Sequence, residues 1–512
     1  MSATRRDFIR FIVAGSVAAG CPLDRALIGL PPENPIGVDG EHNEICHEVR
    51  DGHRFDRPLV SAHHDVVIVG GGVSGLTAAY LVKDRDFLIL EKETHWGGNA
   101  YLEEYQGMAF ATGSAFTDRS ETPVMNLAKE LGLEMLPIDN PDPSIIRGDF
   151  VPDTWGTGLD HLPYPAEVRA SFKKFRDTVL KIPVQPTLPL PEDWPLDSRS
   201  RYRELDNEPF SKYFHGYAPE VMAWWDGFGP SNWGARTEET SALLGITAVQ
   251  GMAPGTPDGR ITWPGGLGAI TQRLTQVLKP RYGDRMIAGA TIVAVEQQKN
   301  EARVTYMCLS ELKTVAAKVV IMATPKFITW RLVDGLPPEQ REAMKRIRYI
   351  PYPVVNLIFD QPVFNKGYDT WCPGNSFTDF IVADWTIRNN PGYEHKKDIL
   401  TCYTPLEAKD RGQLLTEEGA RDIAGRVLKD FQKLVPGSNV DPLEVHIYRR
   451  GHPLYMSTPG NFTQVLPLVR RPMERIFFAN TDSEGPESTT SQGIVAAERA
   501  VREAGPLIGE KG

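Results

Sequence analysis

Cysteine is scarce in this sequence of 512 residues, which contains five. The five are widely spaced and form neither a C-x-x-C pair nor a zinc-binding pattern, so the sequence predicts no metal site. Spacing alone does not decide whether Cys46, Cys308, Cys372 and Cys402 form disulfides, and buried free thiols are the simpler expectation.

Basic residues and long apolar runs are also in short supply. The chain has 56 lysines and arginines against 66 aspartates and glutamates, a formal net charge of −10. This balance argues against nucleic acid as a partner and is compatible with cationic substrates. The length and composition are those of a globular protein with two intertwined domains and a sizeable core.

The first 21 residues have the pattern of a targeting segment. Residues 4–9, Thr-Arg-Arg-Asp-Phe-Ile, resemble a twin-arginine export signal, and the apolar stretch at 11–19 is too short to span a bilayer. We therefore expect export of the folded protein to the periplasm. The stretch ends at Cys21 in a lipoprotein-like cleavage site, and lipidation of Cys21, simple cleavage and retention as a membrane anchor remain open.

A glycine-rich turn is the most informative pattern in the chain. An apolar, β-branched run at 65–69 leads directly into Gly70, Gly72 and Gly75, in the order G-x-G-x-x-G. This order predicts a buried parallel strand, a tight turn and a helix at 76–82 whose N-terminus faces a pyrophosphate.

A second apolar run, at 87–90, ends in Glu91, about twenty residues after the first glycine. A carboxylate at this position would accept hydrogen bonds from both hydroxyls of an adenosine ribose. Strand, turn, helix, second strand and acid together predict a dinucleotide with an unphosphorylated ribose, hence FAD or NAD rather than NADP.

The segment after this acid separates FAD from NAD. It resembles the flavin amine oxidase and phytoene desaturase superfamily, in which the acid is followed by a glycine pair that wraps the FAD; the matching residues are Glu91-Lys-Glu-Thr-His-Trp-Gly-Gly-Asn99. Asn99 stands where most members have arginine, so a charge contact is lost while the backbone turn remains. The resemblance implies FAD, held by Gly70, Gly72, Gly75, Glu91, Lys92, Gly97, Gly98 and Asn99.

Later segments extend the resemblance over most of residues 63–502. In a predicted hairpin at 107–116, Gly113 and Ser114 lie where the superfamily places backbone against the flavin, and Ile292 lies in a strand whose backbone would meet adenine. Asp482 ends a strand, where the superfamily's acid meets the ribityl chain or the pyrophosphate. The helix that follows would stabilise negative charge on the flavin at its N-terminus, with Thr490 and Ile494 as contacts.

The implied fold class is α/β, with a Rossmann-like FAD-binding domain built on a parallel sheet and an interleaved α+β substrate domain of the amine oxidase type. We expect a signal at 1–21 and an extension at 22–60. The predicted FAD-binding domain comprises 61–116, 236–330 and 451–505, and the predicted substrate domain comprises 117–235 and 331–450.

Two departures from the superfamily bear on the reaction. Val354 stands where many members carry a lysine that holds water against the flavin, which weakens the expectation of a fast reaction with oxygen. Thr489 stands where an aromatic residue forms one wall of a cage around the amine, and Tyr455 is the candidate for the other wall. A quinone, a cytochrome and oxygen all remain candidate electron acceptors.

No side chain emerges as an obligatory acid or base. His452 is the candidate polar group of the substrate cavity, and Trp225, Trp263 and Tyr455 are candidate walls; core packing is the alternative for each. The expected reaction is hydride transfer from a small-molecule substrate, an amine or polyamine being favoured, to flavin N5. The alternatives are a desaturase or isomerase of an apolar substrate and a non-catalytic FAD-binding protein.

A short helix predicted at 42–53 contains residues that could bind a second cofactor. His42 and Cys46 are four residues apart and would share a helix face beside His47. The string Cys-His-Glu-Val-Arg-Asp-Gly that starts at Cys46 resembles the segment before the FAD fold in bacterial spermidine dehydrogenases, a group that carries haem beside FAD. That resemblance implies haem near His47, and packing against the FAD-binding domain is the alternative.

Overall fold

The computed structural model describes residues 26–28, 36–40, 43–184, 196–252, 259–435, 441–485 and 487–509. The predicted export signal, Cys21 and His42 lie outside these ranges. Within them, none of the helices combines the length and the apolar character needed to cross a membrane.

A seven-stranded sheet forms the first layer of the fold. Its strands run in the order Met286–Ala288, Phe87–Glu91, Val60–Val69, Glu311–Met322, Ala302–Cys308 and Ala290–Gln297, with Ile476–Phe478 pairing beside the end of Glu311–Met322. The first four of these strands and Ile476–Phe478 are mutually parallel. The apolar run at 66–69 is fully buried, as expected for a parallel strand with both faces covered.

Helices cover both faces of this sheet. On one face, Val66 and Ile68 pack against Leu76, Ile270 and Ile494, which lie on the helices Val73–Leu81, Gly268–Tyr282 and Thr490–Ile508. Alternate residues of the central strand point the other way and join a second core with the helices at 44–50 and 326–332. This doubly covered parallel sheet confirms the predicted α/β class.

A nine-stranded, largely antiparallel sheet forms the second part of the molecule. Its strands run in the order Ala26–Ile28, Ile36–Gly40, Glu444–Arg449, Val354–Phe359, Asp398–Tyr403, Asp379–Val382, Asp369–Trp371, Ser144–Ile146 and Asp149–Val151. Two of these strands lie in the predicted N-terminal extension, which therefore contributes to this sheet. The boundaries of the two domains stay predictions.

The two faces of the nine-stranded sheet have different neighbours. Residues 355, 357 and 359 share a core with the helix Glu417–Leu434, whereas Val354 and Ile358 point to the opposite face and share a core with Phe110. This alternation follows from the two-residue period of a strand. The face with Val354 is therefore directed toward the segment at 108–116.

Three smaller sheets and the remaining helices complete the fold. The small sheets pair Thr117–Asp118 and Leu136–Pro137 with Arg260–Thr262, Leu102–Tyr105 with Met108–Ala111, and Tyr349–Ile350 with Leu454–Tyr455. The α-helices not yet given are Thr122–Glu130, Ala166–Val179, Leu196–Asp206, Pro219–Trp233, Ala242–Gly251, Pro338–Arg346 and Leu466–Val469. Short 3₁₀ helices lie at Thr157–Asp160, Phe210–Phe214, Gly283–Arg285, Trp385–Ile387, Ala408–Leu415 and Thr481–Ser483, and a π-helical turn at Asn461–Val465.

The four cysteines of the described ranges form no disulfide. Cys372 and Cys402 are buried, as expected, whereas Cys46 and Cys308 are partly exposed. An acidic cluster of Asp384, His395 and Asp398 has metal-like spacing. Arg388 contacts both carboxylates, so the cluster is a buried ion-pair network.

Candidate active site

The candidate site lies where the parallel strands end. The strand Val60–Val69 is flanked by Phe87–Glu91 on one side and Glu311–Met322 on the other. After Val60–Val69 the chain continues to the neighbouring strand on one side, and after Glu311–Met322 it continues to Ile476–Phe478 on the other side. These opposite connections open a crevice beyond the carboxyl ends of the two strands. Ligands of open α/β sheets bind in such crevices.

Glycine is structurally required in the turn after the central strand. Gly70 has φ +106°, and a Cβ on Gly75 would lie 1.8 Å from the Gly70 carbonyl oxygen. Gly72 caps the helix Val73–Leu81, and a Cβ there would approach only Gly97 and Gly98, at 3.9–4.0 Å. The backbone at Gly72 is thus free of side-chain bulk, as close approach of a pyrophosphate requires.

Glu91 presents a buried carboxylate at the adjacent strand end. The side chain is 7% exposed and accepts hydrogen bonds from the backbone N–H groups of Gly71 and Glu93, the latter at 2.8 Å. Burial raises the pKa of Glu91, and the hydrogen bond from Glu93 counteracts this. Lys92 forms an ion pair with Glu93, beside the predicted ribose-binding acid.

The predicted segment at 97–99 contacts the glycine turn, and the predicted segment at 113–114 contacts Asn99. The Gly97 N–H donates to the Gly71 carbonyl at 2.9 Å, and the Ser114 N–H donates to the Asn99 carbonyl at 3.1 Å. A Cβ on Gly113 would lie 2.2 Å from that same Asn99 oxygen, so glycine is required there as well. The Asn99 amide donates to the Pro453 carbonyl at 2.9 Å.

Other predicted FAD contacts lie around the same crevice. Gly289, which precedes the strand of Ile292, donates its N–H to Glu93 at 2.9 Å, and Ile292 is 7% exposed at a strand irregularity. The Thr489 hydroxyl accepts from the Gln492 N–H and caps the helix that begins at Thr490. Ile494 lies one turn further along, and its side chain is fully buried in the core.

The residues fit FAD. Three features match an adenine dinucleotide held by its pyrophosphate and ribose. They are a glycine-capped helix N-terminus, a buried acid about 20 residues after the first glycine, and a second glycine pair that is hydrogen-bonded to the turn. The individual contacts predicted for each residue stay predictions.

Asp482 has a partner that sequence reasoning missed. Its carboxylate and the Lys326 ammonium are both fully buried and lie 2.6 Å apart. The backbone N–H of Lys326 and the Tyr349 hydroxyl donate to the other Asp482 oxygen. Burial lowers the pKa of Lys326, and the Asp482 charge counteracts this. The only sequence signal was a lysine directly after a buried strand and Pro325.

The four catalytic candidates have different surroundings. His452 stacks on the Phe327 ring with centroids 4.2 Å apart, and burial lowers its pKa to about 3, aided by Arg411. Tyr455 is 1% exposed and donates its hydroxyl to the Gly485 carbonyl at 2.5 Å. Trp263 is buried in the core beside the parallel sheet.

Trp225 belongs to a dense aromatic cluster on the helix Pro219–Trp233. It is fully buried, and its ring centroid lies 5.0 Å from those of Trp155 and Trp224. The indole N–H groups of Trp155 and Trp225 are buried without a hydrogen-bond partner. This packing fits the core alternative, and a wall role for any of the four candidates stays a prediction.

The substrate-domain sheet touches the predicted flavin segment directly. The Tyr403 hydroxyl donates to the Gly113 carbonyl at 2.5 Å, and the Thr401 hydroxyl and the Asn356 amide donate to Ala111 at 3.2 and 3.3 Å. Val354, at the position of the superfamily's lysine, pairs in register with Tyr403 on this face. The fold thus brings the sheet face with Val354 against the segment that holds Gly113.

Comparison with known proteins identifies the family. The profile described as flavin containing amine oxidoreductase matches residues 73–504. This chain belongs to the flavin-containing amine oxidoreductases. It is therefore an FAD-dependent oxidoreductase that takes a small-molecule substrate and passes electrons to an acceptor.

Individual relatives are distant. Oxidoreductase PigB of Serratia sp. is 24% identical, with 86% of this chain and 76% of PigB covered. Human flavin-containing amine oxidase B is 25% identical, with 86% and 85% covered. Among solved structures, putrescine oxidase bound to putrescine superposes with a TM-score of 0.65 at 18% identity, covering 86% of this chain and 98% of that one. This last similarity shows the fold.

The N-terminal helix Glu44–Arg50 packs against the FAD-binding sheet and the helix Lys326–Leu332. Burial lowers the pKa of His47, and the nearby Arg50 charge lowers it further. This arrangement fits the packing alternative, and haem near His47 stays a hypothesis.

Proposed function

We propose that this oxidoreductase oxidises an amine, converting a CH–NH group into an imine that water hydrolyses to a carbonyl compound. The match of residues 73–504 to the flavin containing amine oxidoreductase family supports the proposal, and the hydrogen bond from Tyr403 to Gly113 holds the substrate-domain sheet against the segment predicted to face the flavin. FAD, when bound, accepts the hydride that leaves the substrate carbon.

The protein's own contribution is orientation and exclusion of water. Burial raises the pKa values of Tyr352 and Tyr403 well above those of ordinary tyrosines, so both hydroxyls stay protonated. His452, with a pKa of about 3, is neutral at physiological pH. None of these three groups is charged near neutrality, which favours an amine that enters the reaction in its own neutral form.

A quinone or a cytochrome is the proposed electron acceptor, and export to the periplasm is proposed from the twin-arginine pattern. Val354 supports the first point because it is 3% exposed and offers no ammonium where the superfamily's lysine orders water. Oxygen is the competing acceptor. Haem near His47 would give a route to a cytochrome and remains a hypothesis.

Anaerobic mixing of the purified holoenzyme with a panel of primary amines and diamines tests the reaction. The proposal expects bleaching of the flavin bands and one carbonyl product per flavin reduced. Admission of oxygen or of a soluble quinone then compares the acceptors, and Val354→Lys is expected to speed reoxidation by oxygen selectively. Turnover of apolar alkenes without bleaching by any amine would overturn the proposal.

Thr489 favours the desaturase or isomerase alternative. Its hydroxyl is engaged in the helix cap, so the position supplies no aromatic wall for a small amine. The same anaerobic panel therefore includes an apolar polyene. A flavin reduced by no compound would instead favour a non-catalytic protein.

Two measurements test localisation and haem. Cell fractionation of wild type and of an Arg5→Lys, Arg6→Lys double variant is expected to show periplasmic protein for the wild type alone. An absorbance spectrum tests haem, because a Soret band that disappears in His47→Ala would support the hypothesis and flavin bands alone would remove it.

A further inference from the structure

Two buried carboxylates lie on the sheet face that meets the flavin segment. The strands Asp369–Trp371 and Asp379–Val382 are antiparallel, with Trp371 opposite Asp379 and Asp369 opposite Ile381. Residues two apart on a strand share a face, so Asp369 and Asp379 point to the same side. Asp379 also pairs in register with Tyr403, which places both carboxylates on the face that contacts Gly113.

Both carboxylates are removed from water without a neutralising partner of their own. Asp369 is 1% exposed, and its Oδ1 accepts no hydrogen bond. Asp379 is 4% exposed, and its donors are the hydroxyls of Ser231 at 2.7 Å and Thr378 at 2.5 Å. Burying a carboxylate without a cation is costly, so such a group either becomes protonated or takes a cationic partner.

The surrounding charges do not supply the missing cation. Arg260 acts electrostatically on Asp369, but it forms an ion pair with Asp142, whose opposite charge also acts on Asp369. The contributions of this pair to Asp369 have opposite signs. The two aspartates are therefore left without a cationic partner, which an ammonium ligand would supply.

Aromatic side chains border the carboxylates. The rings of Tyr352 and Tyr403 pack edge to face with centroids 6.0 Å apart. The Tyr352 hydroxyl shares a 2.5 Å hydrogen bond with Ser231, and the Tyr368 hydroxyl donates to the Ala115 carbonyl at 3.2 Å. Aromatic rings attract an ammonium group through their quadrupoles, so these neighbours are compatible with a cation bound by the carboxylates.

We propose that Asp369 and Asp379 bind an ammonium group of the substrate other than the one that is oxidised, so that the substrate is a diamine or polyamine. This inference rests on the proposed amine oxidation. The reacting nitrogen must be neutral, because a protonated amine cannot assist the departure of hydride from its carbon. A buried carboxylate would keep a nearby amine protonated, so the pair selects a distal ammonium rather than the reacting one.

The titration of the pair is consistent with this assignment. Burial raises the pKa of Asp379 to about 7 and that of Asp369 well above its ordinary value, and the neighbouring carboxylate adds to the shift of Asp369. The groups that face them are Asp142, Arg260, Ser231, Thr378, Tyr352, Tyr368 and Tyr403. A bound ammonium favours the ionised form, so binding releases protons from the pair.

The test compares 1,4-diaminobutane with butylamine, which lacks the second ammonium. Both are mixed anaerobically with the holoenzyme, and the ratio of their kcat/KM values for flavin reduction is measured. We expect the wild type to favour the diamine and Asp369→Asn and Asp379→Asn each to lower the ratio at least tenfold. Asp206→Asn is the matched control, because Asp206 is a 1% exposed carboxylate held by Ser241 and Thr463 away from the site.

A binding measurement separates failure of this inference from failure of the proposed function. The diamine is expected to raise the melting temperature of wild-type and Asp206→Asn holoenzyme but not that of Asp369→Asn or Asp379→Asn. An unaltered diamine preference in both variants would overturn the inference while leaving amine oxidation intact. A diamine-specific shift that is lost in the variants, without flavin reduction by any amine, would support the binding site and refute the reaction.

Discussion

A Lys326→Met substitution removes the cation from the buried ion pair with Asp482. The two charged atoms are 2.6 Å apart and both side chains are fully buried. After the substitution, Asp482 retains the donors from the residue-326 backbone and from Tyr349, which both reach Oδ2, whereas Oδ1 loses its partner. The change leaves a buried carboxylate without a neutralising charge.

The expected loss of stability follows from this geometry. Removal of one partner of a buried ion pair costs about 3–5 kcal/mol, because the remaining charge stays desolvated. Unfolding entropy is about 2.1 cal/mol/K per residue, hence roughly 1 kcal/mol/K for a chain of this length. We therefore expect the melting temperature of Lys326→Met to fall by about 3–5 °C.

Thermal unfolding of purified holoenzyme, followed by circular dichroism at one scan rate, measures this effect. Flavin absorbance per chain is recorded for each variant, so that loss of FAD is distinguished from loss of the ion pair. Lys345→Met is the matched control, because Lys345 pairs with Glu342 while 39% of its side chain is exposed. An exposed pair of this kind contributes at most about 1 kcal/mol.

A double substitution identifies the cause. Lys326→Met combined with Asp482→Asn removes both charges, so the combined destabilisation should be smaller than the sum of the two single effects. A melting temperature of Lys326→Met within 1 °C of wild type, at unchanged flavin content, would refute the reasoning. Strict additivity in the double variant would show that the two charges do not stabilise each other.

Three further predictions concern the glycine turn and the titration of buried groups. Gly75→Ala should lower flavin absorbance per chain, because its Cβ would meet the Gly70 carbonyl, whereas Gly425→Ala, in an exposed and uncrowded helix position, should stabilise by up to about 1 kcal/mol. His452 has a folded pKa below its unfolded value, so its contribution to stability is lost as pH falls from about 6.5 toward 3. Urea unfolding should therefore show that the wild type loses roughly 2 kcal/mol of unfolding free energy relative to His452→Gln between pH 6.5 and 5. Asp379 has a folded pKa of about 7, above its unfolded value, so the wild type should lose stability relative to Asp379→Asn as pH rises from 4 to 7, by about 3 kcal/mol. If the plots of unfolding free energy against pH run parallel for the wild type and one of these two variants, the shifted pKa of that residue is contradicted.

Local sequence patterns were sufficient to predict the glycine turn and the strands and helix around it. The run at 65–69, the glycine spacing and Glu91 lie within 27 residues, and each has a conformational or chemical reason that does not depend on distant sequence. The structure begins the helix at Val73 rather than 76, because Gly72 is its cap. The strand at 36–40 was not predicted, since its register is supplied by residues 445–449, some four hundred positions away.

The burial of the charged residues could not be predicted from the sequence, for a different reason. Lys326 and Asp482 are 156 residues apart, and neither has a local pattern that indicates burial. Asp369 and Asp379 are each the first residue of a short strand, where a polar residue usually marks the solvent-exposed strand end. Only the hydrogen bonds from the nine-stranded sheet to residues 111 and 113 show that this face of the sheet is covered. The dense tryptophans at 224–233 likewise predict burial without indicating what they surround.

The two sets of buried acids show how the fold distributes its charges. Asp482 receives an ammonium, a hydroxyl and an amide N–H from the chain itself, so its charge is balanced before any ligand arrives. Asp379 receives hydroxyl donors, Asp369 Oδ1 accepts no hydrogen bond, and the burial of both acids reduces the stability of the protein at neutral pH relative to acidic pH. The ammonium group that we propose for the substrate would supply the cation that Asp369 and Asp379 lack.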